Sequence, residues 1–480
     1  MSIRIVLAWC RRGTRRWVPV PIGVVMLLAA CARPSTAPAV APSTQSLGRD
    51  LPVYQPALGE RGRPEGPTFE APAGTISLQD ALALALLHSP DLATFAWETR
   101  AREARALQAG RLPNPVLEVL AEDVEASEGL RAGAGNPRLI QPQTTIQLSQ
   151  LIELGGKRTA RQELATLNRD LAAWDYEIAR IDVLTRTTRH FIDVVAAQEL
   201  VTLTSQTTEL VEQVEQSVGA RVVAGVVSPV EQTKAGVALA VARVELGRAR
   251  RLLDASRGRL AGSWGRTEAG FRSVEGDLRQ VAEPPPLPEL RARLAATPEL
   301  ARWTAEISQR QSALSLERAR RVPDVALTVG YRRFTGLPGN TLLFGASVAL
   351  PVFDLNGRGV QEASLRLAKA YEERRATEAR VAVALTEGYQ ALASAHEELT
   401  ALRTTVLPGA QQAFDAVSEG YRLGKFEYLD VLDAQRTLVG AGGQYLRALS
   451  EYHKAVADVE RLIGASLVPT AVPPAPPGKE

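Results

Sequence analysis

This chain states one pattern twice, about 200 residues apart, and that duplication limits what it can fold into. Pro90 in His88-Ser-Pro-Asp-Leu92 returns as Pro298 in Ala296-Thr-Pro-Glu-Leu300, and Pro113 returns as Pro323. The corner Leu154-Gly-Gly-Lys-Arg158 returns as Leu355-Asn-Gly-Arg358, and the Gly225 turn returns as Gly424. Order is kept throughout, so the chain reads as two copies of one supersecondary unit and not as a short-period solenoid.

The N-terminus indicates a compartment. Five arginines, Arg4, Arg11, Arg12, Arg15 and Arg16, precede an apolar run from Val18 to Ala30 that ends in Leu28-Ala-Ala-Cys31. This is the layout of a secretory signal peptide, too short to span a bilayer as a helix. Leu-Ala-Ala-Cys also resembles a bacterial lipobox, which makes Cys31 the expected lipidation site. Removing five arginines and no acid from a net charge of +3 leaves −2, so nothing electrostatic points to nucleic acid. Cys10 lies in the discarded segment, and Cys31 would be the only thiol left.

Residues 31–76 are rich in Pro, Ala, Ser and Gly and read as a tether. Helical periodicity then runs from Ser77 to about Arg111 with one Pro interruption. Alternating stretches at Val116 to Glu122 and Gln143 to Leu151 predict strands. Proline-free sequence from Lys157 predicts one very long helix, and a second helix from Ser228 to Ala261 carries Leu239, Leu246, Leu253 and Leu260 on a heptad seam. The second copy repeats the order: a helix over Pro288 to Arg321, strands over Asp324 to Arg333 and Leu342 to Val352, a long helix over Gly357 to Leu423 with a kink expected at Pro408, and a last helix over Glu427 to Ile463. The expected organisation is signal peptide 1–30, tether 31–76, first repeat 77–261, linker 262–287, second repeat 288–464 and a Pro-rich tail 465–480.

Helix lengths fold this pattern on paper. The long helices measure roughly 95 to 100 Å and the short ones roughly 50 Å, so two short helices laid end to end match one long one. Strands are then expected at one end, helical turns at the other, and a non-helical belt at the middle. Four strands of membrane-crossing length cannot close a barrel, and an open edge is intolerable in lipid. Eight would be filled by side chains; twelve, from a homotrimer, is the smallest set that leaves an aqueous lumen.

From Ser77 to about Gly464 the chain resembles the outer-membrane efflux family, the TolC-like channel tunnels. The resemblance rests on the duplicated unit, on Leu148-Ser-Gln-Leu-Ile-Glu-Leu-Gly-Gly-Lys-Arg158, and on Tyr421-Arg-Leu-Gly-Lys-Phe-Glu-Tyr-Leu-Asp-Val-Leu-Asp-Ala-Gln435. It implies a mainly α fold with a small β part: a trimeric 12-stranded outer-membrane barrel on a periplasmic helical tunnel. It also implies a periplasmic adaptor and an inner-membrane pump of the RND type as partners. The lipobox adds the expectation of lipid anchoring in the outer membrane, and no enzymatic activity is expected. The corner at 153–158 and Leu350-Pro-Val-Phe-Asp-Leu-Asn356 look most like the subgroup paired with cobalt-zinc-cadmium exporters. Multidrug efflux or type I secretion is the alternative cargo, and a periplasmic coiled-coil scaffold is the alternative class.

Members of that family constrict the tunnel through polar residues near the helical turns. Tyr421 and Asp430 match that pattern and Glu231 stands where an Asp is common, whereas Phe426 occupies the usual basic position and the basic partner is displaced to Lys425 or Arg422; with Arg221 these residues are the expected aperture or adaptor-docking surface. Asp430 and Glu231 also sit in first helical turns, where a carboxylate is favoured as a cap, and both readings stand at this point. No catalytic arrangement and no cofactor is expected. Gly155-Gly-Lys-Arg-Thr159 lacks the leading glycine of a phosphate loop, since Leu151 occupies that position. The four histidines share no metal-ligand spacing, so no metal site is expected.

Overall fold

A computed structural model describes residues 48, 50–55, 57–58, 64–65, 73–122, 142–335 and 339–467. The signal segment, Cys31, most of the tether, the loop at 123–141 and the tail beyond 467 lie outside the described residues. The chain divides into Met1–Ala39 and Val40–Glu480, and every element below belongs to the second unit.

The order of elements begins with a short antiparallel pair, β1 (Ala57–Leu58) and β2 (Pro64–Glu65), then β3 (Thr75–Ser77), α1 (Leu78–His88) and α2 (Pro90–Ala109). The α1 start is a capping box: Ser77 Oγ accepts from the Asp80 N–H at 3.2 Å, and Asp80 Oδ2 accepts from the Ser77 N–H at 3.0 Å. Ser89 caps α2 and Pro90 takes its first position, so this proline starts a helix where the pattern alone shows an interruption. Next come β4 (Val116–Glu122), β5 (Gln143–Ile152), α3 (Lys157–Val223) and α4 (Pro229–Gly262). The 67 residues of α3 give a length of about 100 Å.

The second half runs β6 (Ser273–Glu275), α5 (Leu287–Arg293), a 3₁₀ turn, α6 (Pro298–Ala319), β7 (Val325–Phe334), β8 (Asn340–Val348), α7 (Gly357–Ala401), a π turn (Leu402–Val406), α8 (Leu407–Arg422) and α9 (Tyr428–Ile463). β8 ends four residues earlier than the alternation predicts. Pro351 cannot donate to a ladder, and Leu350, Val352 and Phe353 project exposed beyond the strand.

The helices form a layer in which α3 packs against α2 and α4, and also against α6 and α9, which in turn pack on α7. The seam on α7 is buried at Leu385, Leu392 and Leu399, the last 1% exposed, but Val406 at the next heptad step is 41% exposed and Leu402 is buried instead. The π turn explains the shift. Pro408 has no N–H and its ring crowds the carbonyl four residues back; the wider turn accommodates it and advances the register by one residue.

The largest core lies at the middle of α3. Phe191, Val194 and Val195 pack with Ile76, Trp264, Phe271, Val274 and Leu290, closed by Leu385 and Leu449. β3 and β6 pair in parallel there. The linker is held by side chains of the long helices: the Gln198 carboxamide both accepts from the Val274 N–H at 2.8 Å and donates to its carbonyl at 3.0 Å. Tyr452 Oη donates to Ala282 O at 2.6 Å and accepts from its N–H at 3.1 Å.

Polar pairs also cross the layer at seven-residue steps along α3. Asn168 meets Gln309 at 3.3 Å, Asp175 meets Arg302 at 2.7 Å, Asp182 meets Arg461 at 2.5 Å, and Arg189 meets Asp458. Half-exposed pairs of this kind contribute only about 0.2 to 1 kcal/mol each. Their regular spacing fixes which helix lies beside α3 and in which register.

Candidate functional site

Three antiparallel pairings set the sheet order β4-β5-β7-β8. The registers sort its residues into two faces of different chemistry. One face carries the rows Leu117–Leu148–Val329–Phe344 and Val119–Ile146–Tyr331–Leu342. These side chains are open to the surroundings, Leu117 at 68% and Phe344 at 79%. An exposed apolar patch of this extent marks a lipid or protein contact.

The opposite face carries Glu118, Gln147, Thr145, Ser149, Thr328 and Arg332, joined across the strands. Gln147 Nε2 donates to Glu118 at 2.5 Å, Ser149 Oγ meets Thr328 Oγ1 at 2.7 Å, and Arg332 Nε donates to Thr145 Oγ1 at 3.0 Å. Thr145 is only 1% exposed, so this is the more crowded side of the sheet at that point. Within the chain β4 and β8 each leave one edge without a partner strand among the described residues, which is untenable in hydrocarbon unless another sheet supplies it.

At the far end of the long helices two turns repeat one geometry. Gly225 at φ 70° closes α3, its N–H donating to Val222 O at 2.9 Å and the Val226 N–H to Arg221 O at 2.9 Å. Gly424 at φ 72° closes α8, its N–H donating to Tyr421 O at 3.0 Å and the Lys425 N–H to Gly420 O at 2.8 Å. Both are Schellman closures, which need a left-handed residue and so select glycine.

Of the residues singled out in these turns, the structure brings two together. The Arg221 guanidinium lies 4.6 Å from the centre of the Tyr421 ring. Arg422 instead pairs within its own helix, with Glu419 at 3.2 Å. Asp430 Oδ2 accepts from the Glu427 N–H at 2.9 Å, a cap of α9. Lys425 is exposed, Glu231 is half-buried, and neither side chain has an ion pair among the described residues.

Sequence reasoning passed over Tyr428. It is 2% exposed, packs on Val218, Ala235 and Leu432, and stacks tilted on Tyr421 at 6.1 Å. Burial pushes its phenol up to about 12. The Oη atoms of Tyr421 and Tyr428, and Nε2 of Gln435, are buried without a partner among the described residues. The signal for this group was present as Tyr428, Leu432 and Gln435 at helical spacing inside the motif.

Among the described residues no three His, Cys, Asp or Glu side chains gather as metal ligands. Among them also no helix is long and apolar enough to cross a membrane.

A two-faced antiparallel sheet set on a layer of very long helices is the architecture of an outer-membrane channel. It superposes on the open state of the Neisseria gonorrhoeae MtrE outer membrane channel with a TM-score of 0.66 at 17% identity, covering 88% of this chain and 98% of that one. The outer membrane efflux protein model matches residues 81–266 and again 290–465, and the chain belongs to that family. It is 34% identical to the cobalt-zinc-cadmium resistance protein CzcC of Cupriavidus metallidurans, over 86% of this chain and 96% of the relative. It is 26% identical to the nickel-cobalt-cadmium resistance protein NccC of Alcaligenes xylosoxydans xylosoxydans, over 63% of this chain and 66% of that one.

Proposed function

We propose that this protein is the outer-membrane duct of a tripartite efflux system, carrying heavy-metal cations from an RND-type inner-membrane pump through a periplasmic adaptor. The observation that supports this reading most is the sheet. Its apolar face suits lipid, its hydrogen-bonded polar face suits water, and its two free edges call for neighbouring copies. Three copies supply twelve strands and an aqueous lumen. Exposed Val230, Val237, Val241 and Val244 on α4 form a stripe suited to the next protomer. The similarity to CzcC favours metal as cargo.

In this reading the duct performs no chemistry, its paired glycine turns face the periplasm as aperture or docking surface, and Cys31 carries the lipid. The test is direct. Outer-membrane fractions should yield heat-resistant trimers that conduct in planar bilayers, and deletion of the gene should sensitise cells to cobalt, zinc or cadmium. Non-conducting trimers would refute the duct; unchanged metal tolerance with increased drug sensitivity would refute the cargo. Labelled palmitate should enter wild type and not Cys31→Ser.

A further inference from the structure

Where α2, α3 and α6 converge below the sheet they line an open cleft of about 1070 Å³. Its three carboxylates already have cationic partners. Glu98 pairs with Arg102 at 2.6 Å and Asp324 with Lys157 at 2.7 Å, while Glu153 takes a bidentate contact from Arg161. Arg161 is itself fixed, donating through Nε to Ala109 O at 2.9 Å. Three further cations line the same space. Arg320 is shared with Glu317 at 2.5 Å, whereas Arg105 and Arg111 are exposed and their side chains have no partner among the described residues. Each chain therefore presents at least two guanidinium groups in excess of the acids around them.

The side on which the cleft opens follows from the strands. Glu153 stands in line with the row Thr145, Gln147, Ser149 and Leu151 of β5, one step beyond Leu151, and Asp324 one step before the row Ala326, Thr328 of β7. The Leu154 N–H donates to Asp324 Oδ1 at 3.0 Å and ties the two ends together. The cleft thus continues the polar face of the sheet and not the apolar one.

We propose that this cleft is an anion-binding station, taking small oxyanions such as phosphate, and that it makes the passage beneath the barrel selective for anions. The selectivity, though not the binding, rests on the reading of the polar face as lumenal. Guanidinium groups suit the station because their planar forks match oxyanion geometry and stay charged at any physiological pH. Threefold repetition would place at least six such groups around one lumen. A metal cation crosses this level together with anionic ligands or counter-ions.

The experiment has two arms on the full-length protein. In planar bilayers at or below about 0.1 M salt, where screening is weakest, reversal potentials in a potassium chloride gradient should show chloride preferred over potassium. Arg105→Glu combined with Arg111→Glu should move the permeability ratio toward potassium by about threefold or more. Arg105→Lys with Arg111→Lys should keep the chloride preference. A conducting double-Glu variant with an unchanged reversal potential overturns the proposal. In the second arm, detergent-solubilised wild type should broaden the phosphorus-31 line of inorganic phosphate and the double-Glu variant should not. No broadening by wild type, or equal broadening by both, overturns it as well. Trimers that broaden the line but do not conduct would count against the duct and support the station.

Discussion

The Arg221 guanidinium sits 4.6 Å from the centre of the Tyr421 ring, joining two turns that lie 200 residues apart in the chain. Tyr421 in turn leans on Tyr428 at 6.1 Å, so the ends of α3, α8 and α9 meet through one cation and two phenol rings. Neither phenol oxygen has a partner among the described residues. The contact is therefore held by ring faces and charge, and not by hydroxyl hydrogen bonds.

That distinction yields a prediction. Arg221→Ala removes a cation–π contact of about 0.5 to 2 kcal/mol and should raise single-channel conductance without lowering trimer yield. Tyr421→Phe keeps the ring and should leave conductance near wild type. A larger effect from Tyr421→Phe than from Arg221→Ala would show that the hydroxyl, bonded to another copy, is what closes the mouth.

The sheet faces make a second prediction. Phe344→Arg places a charge in the apolar row and should cost about 2 to 4 kcal/mol per chain if it lies near the bilayer midplane. Ser347→Arg, on the polar face, should be tolerated. Yield of heat-resistant trimers reads both, and an equal response would reject the assignment of the apolar face to lipid.

The belt should be acid-sensitive. All four histidines of the chain approach the linker or the residue that clamps it: His88 beside Arg266, His190 with Nδ1 3.1 Å from Ser263 Oγ, His453 with Nε2 2.8 Å from Leu278 O, and His396 stacked on Tyr452 at 6.1 Å. Burial holds His88, His190 and His453 below the ordinary histidine value of 6.5. Around His190 stand Asp193, which opposes the shift, and Arg186, Arg189 and Arg259, which add to it; Asp277 opposes it at His453. A base with a depressed folded value stabilises the fold fully above its unfolded value. That stability is lost as pH falls from about 6.5 toward the folded values. Thermal unfolding temperature should decline over that window, and less steeply in His453→Gln.

The strand-to-helix corner separates strain from space. Gly155 at φ 68° has room for no side chain, because an added Cβ would stand 2.7 Å from Val322 Cβ, whereas Gly156 at φ 74° has nothing within 4 Å. Gly156→Ala should cost only the left-handed penalty of about 1 to 2 kcal/mol, and Gly155→Ala clearly more. Denaturation midpoints of the two variants check the ranking.

Sequence periodicity was sufficient for the elements themselves. Strand alternation, the proline-free run of α3 and the turn glycines are local properties, set within a few residues by sterics and burial, and each appears close to where its pattern placed it. Even the interruption before Pro408, seen as the π turn Leu402–Val406, was legible, because a missing N–H acts locally. What the sequence could not reveal was which local pieces meet. Asp175 and Arg302, or Asp182 and Arg461, are surface charges in one dimension and become a ladder only when α6 and α9 lie along α3. The candidate site divides the same way. Asp430 and Arg422 are occupied by neighbours three residues away, as their helix positions allow. The Arg221–Tyr421 contact, the buried Tyr428 and the uncompensated arginines of the cleft arise from packing between segments far apart in sequence. Such contacts are fixed by the register of whole helices, a property of the assembled layer that no single segment encodes.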